Sequence, residues 1–347
     1  MLADIGDVLV STPALALLRQ QYPAAHISVI LRKPMSRLLA GNPNVDARIL
    51  YSPDGIWRKL QLLWRVWRDD VDLWIDLHTP TFNTVCSNSQ IFRRNSVIRF
   101  FANPSFSIGY DCEGALGKHT HGVPQPAKSL LASENVVSTT LRIVRSFTQE
   151  LNDPEPRKFF HVLPDETRWA TQKLGSAANG HSLFFGLFFG SKQPADVWSI
   201  DHCYEWVAKT LRRYSDARIL LLGGELEIEY ARELVSRLAV ADRDAVRNFV
   251  GQTSLGQTAA LITSCKVLVT TDSGPLHIAD ALNVPMVALF SSKNYPDIWR
   301  PYQSRTVVLN VPVPCGPCFL STCPEKSPCI DQILPVDVTD AVQSLLE

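Results

Sequence analysis

The segment Thr270-Thr271-Asp272-Ser273-Gly274-Pro275-Leu276-His277 carries the densest chemistry in the chain. It follows an apolar strand and opens a helix of small residues, so free backbone N–H groups, a flexible glycine and a hydroxyl meet at one helix start. That combination suits a diphosphate. Asp272 can orient a sugar or ribose hydroxyl or cap the helix, and His277 can donate a hydrogen bond to phosphate. An ordinary capped turn accounts for the same residues without a ligand.

Three further segments have chemical potential. Asp4-Ile5-Gly6-Asp7-Val8 reads as a loop ahead of a helix, where Asp7 can take a proton from an attacking hydroxyl. A surface carboxylate favouring the positive end of that helix is the plain alternative. Leu222-Gly223-Gly224-Glu225 reads as a strand and glycine turn, with Glu227 and Glu229 opening the next helix; one of these acids suits a ribose. The glycine pair has neither the dinucleotide-fingerprint nor the ATPase phosphate-loop spacing. Gly190-Ser191-Lys192 offers a hydroxyl and an ammonium group to phosphate, or only a solvated lysine.

The elements that position these segments alternate. In the second half, Leu183–Phe189, Ala217–Leu222, Asn248–Val250, Lys266–Thr270 and Pro285–Phe290 read as strands. Asp201–Tyr214, Glu227–Ala239, Leu255–Thr263 and Leu276–Leu282 read as the helices between them. Such alternation predicts a mostly parallel sheet covered on both faces, with ligands beyond the carboxyl ends of its strands. In the first half, Thr12 caps a helix with Pro13 at its first position, and Pro23 ends it. His26–Leu31, Val71–Leu77, Val97–Phe100 and Phe106–Ile108 read as strands, and Ile56–Arg68 and Asn135–Phe147 as helices. The Pro-rich stretch 148–165 marks the crossover between domains.

The chain of 347 residues has 34 basic and 34 acidic side chains, so no net field points to nucleic acid. Residues 1–150 carry +4 and residues 151–347 carry −4, a weak asymmetry that suits an anionic acceptor or a membrane surface on the first half. No apolar run is long enough to span a bilayer, and the amino terminus lacks a signal-peptide pattern, so a cytoplasmic location is the expectation. The helix Ile56–Arg68 sets Trp57, Trp64 and Trp67 beside Arg58, Lys59, Arg65 and Arg68. This suits a membrane interface, but its apolar positions almost encircle the helix, which favours domain packing. Cys315, Cys318, Cys323 and Cys329 cluster in a Pro/Gly-rich excursion, a pattern open to structural zinc or iron, local disulfides or free thiols.

Taken in order, these segments resemble the ADP-heptose:lipopolysaccharide heptosyltransferases and the wider glycosyltransferase family 9, nearly end to end. Gly6-Asp7-Val8-Leu9-Val10-Ser11-Thr12-Pro13-Ala14-Leu15 is similar to the family's GDVLxTTPAL signature, and Asn42-Pro43-Asn44-Val45-Asp46 follows at the expected interval. Asp272–Ala279 and Val284–Phe290 are similar to its DSGxxHxAxAxxxP…ALF pattern. The resemblance implies an α/β, GT-B-like fold of two Rossmann-like domains facing a cleft. Residues 1–158 would form the acceptor side and residues 159–347 the nucleotide-sugar side, with the cysteine excursion at 315–329.

The activity implied is inverting transfer of heptose from ADP-heptose to a lipopolysaccharide core acceptor. Another nucleotide sugar, a protein acceptor or a weakly catalytic sugar-nucleotide-binding protein are the alternatives. Asp7 falls on the family's catalytic base, Ser273, Gly274, Pro275 and His277 on the donor phosphate site, Asp272 beside the donor, and Glu227 on the ribose-binding acid. Ser191 and Lys192 are the added donor-side candidates. The resemblance implies no metal for transfer, although iron-binding relatives carry similar cysteine clusters, and it implies peripheral contact with the inner face of the inner membrane.

Two departures matter. Relatives place an apolar strand before the GDV segment, whereas only Met1–Ile5 precede Gly6 here, which implies truncation, a gap in the sheet or another segment filling it. Relatives also carry a Lys just before an early second-domain Trp; here Val197 precedes Trp198, and Lys192 is the nearest upstream Lys.

Overall fold

The computed structural model describes residues 4–52, 54–78, 90–111, 118–148, 155–175, 183–325 and 329–347. The chain divides into two compact units, Met1–Phe159 and Phe160–Glu347. The first runs α1 (Ile5–Gln21), β1 (Ser28–Arg32), β2 (Ala47–Tyr51), α2 (Ile56–Arg68), β3 (Leu73–Ile75), α3 (Gln90–Ala102), β4 (Phe106–Tyr110), β5 (His121–Val123), α4 (Lys128–Ser133) and α5 (Val136–Arg145). Its described strands form two separate parallel sheets, β1-β2 and β3-β4-β5.

Helix α1 corrects the expected start at Pro13. It begins at Ile5 with Asp4 as N-cap and runs straight through Pro13. A mid-helix proline removes the hydrogen bond to the carbonyl four residues back, here Leu9, at a cost of about 3 kcal/mol when nothing replaces it. Thr12, expected as a cap, replaces it instead: its Oγ1 donates to Leu9 O at 2.7 Å and accepts from Phe159 N at 2.9 Å. Asp7 is therefore the third residue of a helix, not part of a loop, and its carboxylate accepts from Asp4 N at 3.2 Å.

The expected strand Val97–Phe100 is also corrected, because it lies inside α3. Its β-branched and aromatic residues suggest a strand, but Ile98 and Ala102, one helical turn apart, are the buried pair, while Val97, Phe100 and Phe101 are exposed.

The second unit runs α6 (Pro164–Leu174), β6 (Leu183–Phe188), α7 (Ile200–Arg213), β7 (Ala217–Leu221), α8 (Ile228–Arg237), α9 (Val240–Arg243), β8 (Val246–Asn248), α10 (Leu255–Thr263), β9 (Val267–Thr271), α11 (Gly274–Ala281), β10 (Met286–Phe290), α12 (Pro296–Trp299), β11 (Thr306–Asn310) and α13 (Pro335–Leu346). Its parallel sheet has the order β11-β10-β9-β6-β7-β8. The chain thus moves outward from β6 to β8, returns to the other side of β6, and continues outward through β9 to β11. This is the doubly wound order, and its switch point lies between β6 and β9. Phe185, Leu187, Ile219, Leu221, Val267, Val269, Val287 and Leu289 are buried in one core on one face of the sheet, and the alternate residues Phe184, Leu220, Leu268, Met286 and Ala288 are buried on the other, as expected for strands covered on both faces.

Candidate active site

The switch point gathers most of the residues singled out in the second half. The loop after β6 carries Gly190, Ser191 and Lys192, and the loop after β9 carries Asp272 and Ser273. Thr271 ties them together, its Oγ1 donating to Gly190 O at 2.6 Å. Ser273 is the N-cap of α11, with extended backbone, but its side chain does not cap the helix. Its hydroxyl turns back to donate to Thr271 O at 3.1 Å. Gly274 and Pro275 form the first turn of α11, and His277 is buried one turn further on, edge-on to Trp299 at 5.7 Å between ring centroids. A helix amino end without a side-chain cap, next to a glycine loop at a switch point, is chemically suited to an anion.

Glu227 joins the same cluster from β7. It ends a short 3₁₀ turn, Glu225–Glu227, and is buried. Its Oε2 accepts from Gly224 N at 2.7 Å. A Cβ at Gly190 would fall 2.3 Å from Glu227 Cγ, so the carboxylate lies directly against the β6 loop.

Lys192 is exposed. A second cation, not recognised in the sequence, is Lys293, which follows β10. It is buried, pairs with Asp196 and donates to Gln193 Oε1, while Asp196 also accepts from Ser291 Oγ. Its only sequence signal was its position three residues beyond an apolar strand end, in Ser291-Ser292-Lys293.

In the first unit Asp7 has neighbours that sequence reading passed over. Asp76 and His78 follow β3; Asp76 is buried, accepts from Asn95 Nδ2 at 3.0 and 3.1 Å, and accepts from His78 N at 3.1 Å. Burial pushes the His78 imidazole below its ordinary value, while Asp76 and then Asp7 pull it upward. Asp7 is thus close enough to His78 to act on its titration. The signal available was Asp76-Leu77-His78 at a strand's carboxyl end. The first unit also holds a cavity of about 320 Å³ whose lining includes Lys33, Ser52, Arg58 and Arg65, a basic surface suited to an anion.

The packing expected for α2 is corrected. Only Leu62 and Val66 are buried, whereas Trp57 is 76%, Trp64 57% and Trp67 64% exposed. Residues 57, 60, 64 and 67 share one face at helical spacing, so the exposed indoles form a stripe. Among the described residues no helix is long and apolar enough to cross a membrane.

The sequence left the cysteine excursion open between a metal, disulfides and free thiols. Cys315 and Cys318 are exposed and Cys323 and Cys329 half-buried, all as free thiols. Among the described residues no group of three or more His, Cys, Asp or Glu is placed to hold a metal ion. Cys329 Sγ instead accepts from Ser292 N at 3.0 Å, and burial pushes its thiol up.

The family model described as Glycosyltransferase family 9 (heptosyltransferase) matches residues 78–328. Lipopolysaccharide heptosyltransferase 2 of Escherichia coli K12 is 26% identical over 317 residues, covering 88% of this chain and 85% of that protein. The glycosyl transferase family 9 structure from Veillonella parvula superposes with a TM-score of 0.82 at 20% identity, covering 100% of this chain and 95% of that one. The E. coli ADP-heptose LPS heptosyltransferase II structure gives 0.77 at 22% identity, covering 100% and 98%. These structures share the fold of two Rossmann-like α/β units, as the sequence led us to expect. With the family match extending over most of its length, the chain belongs to glycosyltransferase family 9.

Proposed function

We propose that this protein transfers heptose from ADP-heptose to a lipopolysaccharide core acceptor. The observation that carries this reading is the donor-type cluster at the β6/β9 switch point. There Thr271 joins the Gly190 loop to the amino end of α11, and Glu227 lies against the same loop. The amino end of α11 receives the diphosphate, with His277 beneath it, Asp272 at its edge and Lys192 near the leaving group. Glu227 takes the ribose hydroxyls. Residues 159–347 thus act on the donor side and residues 1–158 on the acceptor side.

The reaction is a single displacement. The acceptor hydroxyl attacks the anomeric carbon as its proton passes to the Asp7 carboxylate, the bond from that carbon to the diphosphate oxygen breaks, and the configuration inverts. Charge developing on the departing ADP is met by helix N–H groups and cations already in place. Every step is assigned to the chain's own groups. A structural zinc or iron at Cys315, Cys318, Cys323 and Cys329 requires those thiols to be drawn into one ligand set, which metal analysis of the purified protein reads directly.

The exposed Trp stripe of α2 supports peripheral seating on the cytoplasmic face of the inner membrane, with Arg58, Lys59, Arg65 and Arg68 toward anionic headgroups. The test of the activity is a panel of nucleotide sugars, screened for binding and then for mass gain on core acceptors lacking heptose. ADP release with a gain of one heptose is expected. Consumption of a different nucleotide sugar, with ADP-heptose neither bound nor used, overturns the donor assignment.

A further inference from the structure

The loops after β6 and β10 are joined across a strand that lies between them. In the sheet the order is β10-β9-β6, so the two are not neighbours. With adjacent strands about 4.8 Å apart, their carboxyl ends stand about 10 Å from one another. Lys293 spans that gap. Its ammonium pairs with Asp196 and donates to Gln193 Oε1, and Ser291 Oγ donates to Asp196 from the same loop as the lysine. The link passes the carboxyl end of β9, where the chain turns into α11. The backbone repeats the connection. Phe319 N donates to Lys293 O at 2.8 Å and Ala195 N to Ser321 O at 3.0 Å, so residues 319–321 form a strut between the same two loops. On the β6 side, Asp196 N donates to Gln193 O at 2.9 Å and Gln193 N to Ser191 Oγ at 3.1 Å. Whatever holds Gln193 and Asp196 therefore also holds Ser191.

Lys293 and Asp196 are both buried. A buried ion pair is a poor source of stability, because both charges lose their water, and two apolar side chains of similar volume often do as well or better. What this pair supplies is a fixed geometry between two loops. As a neutral unit it adds little net field at a bound anion, so it acts through the chain it holds rather than as free charge. We infer that Lys293 and Asp196 are positioning residues for the donor: they set the Ser191 loop at the distance from the amino end of α11 that a diphosphate bridges. The inference rests on the donor reading of that helix end. Lys293 works through Gln193 and Asp196, and the strut at residues 319–321 keeps its backbone in register with theirs.

The test replaces both partners by apolar residues, Lys293→Met together with Asp196→Leu, and measures ADP binding by calorimetry beside urea unfolding. The unfolding midpoint stays at or above that of the unsubstituted protein, while ADP binds about tenfold more weakly because the loop is no longer preorganised. In transfer assays KM for the nucleotide sugar rises by a similar factor with kcat within about threefold, the mark of lost ground-state binding. Gln193 is exposed, so Gln193→Ala tests the same link without touching the buried pair. That variant binds ADP about threefold more weakly at an unchanged midpoint. An ion pair that serves stability alone leaves the ADP affinity of the folded protein as it was. Wild-type affinity in the stably folded double variant, or in Gln193→Ala where the double variant does not fold, overturns the proposal. An unsubstituted protein that binds no ADP overturns the donor reading, and this inference with it; wild-type binding with unaffected variants sinks this inference alone.

Discussion

The carboxylate of Glu227 occupies the space that a side chain at residue 190 requires: a Cβ on Gly190 would lie 2.3 Å from Glu227 Cγ and 2.5 Å from its Oε1. Gly190 is thus fixed by an approach between two loops of the donor cluster rather than by its own backbone. Gly190→Ala displaces the acid while leaving the buried sheet in place. Its affinity for ADP falls about tenfold, which is about 1.4 kcal/mol, and Glu227→Ala causes a similar loss that does not add to it. Calorimetric titration of both variants and the double variant checks this.

Thr12 carries two hydrogen bonds that Pro13 and the chain end of the first unit both need. Thr12→Val keeps the shape but leaves Leu9 O and Phe159 N without that partner in a buried site. The expected loss is about 1–3 kcal/mol in urea unfolding at unchanged slope.

The first unit weakens in mild acid. Burial holds both His78 and His119 below their ordinary value. In the unfolded chain they titrate near about pH 6.5. The unfolded state therefore binds more protons in this window, and the contribution, complete above about pH 6.5, is lost as pH falls. The urea midpoint drops between pH 7.5 and 5.5, and the drop shrinks in the His78→Gln/His119→Gln double variant.

The Trp stripe on α2 predicts a lipid phenotype separate from donor binding. Replacing Trp57, Trp64 and Trp67 by Ser lowers partition onto anionic vesicles at least about tenfold, with ADP affinity unchanged. Vesicle sedimentation and nucleotide titration on the same preparation read the two effects.

The second unit was legible because its chemistry and its periodicity coincide. Apolar runs of strand length end at Gly190, Gly223 and Asp272, and the intervening helices Leu255–Thr263 and Asp201–Tyr214 recur within a residue of α10 and α7. The first unit was less so. Proline normally marks a helix start, and nothing local announces that the Thr12 hydroxyl replaces the bond Pro13 removes. The residues 97–101 have strand composition, and only their burial at Ile98 and Ala102 reveals the helix. Short strands such as β2, β5 and β11 went unrecognised, since three to five residues carry little pattern. The Asp7–His78 and Lys293–Asp196 relationships join residues 71 and 97 positions apart, a closeness that chain order does not encode.

Transfer by Asp7 is the centre of the account, and Asp7→Asn tests it most directly. With ADP-heptose and a heptose-free core acceptor, the substitution cuts turnover by about 10²–10⁴-fold, the range of a general base, while the dissociation constant for ADP-heptose stays within about threefold. Wild-type turnover in Asp7→Asn, or failure of the unsubstituted protein to consume ADP-heptose, contradicts it.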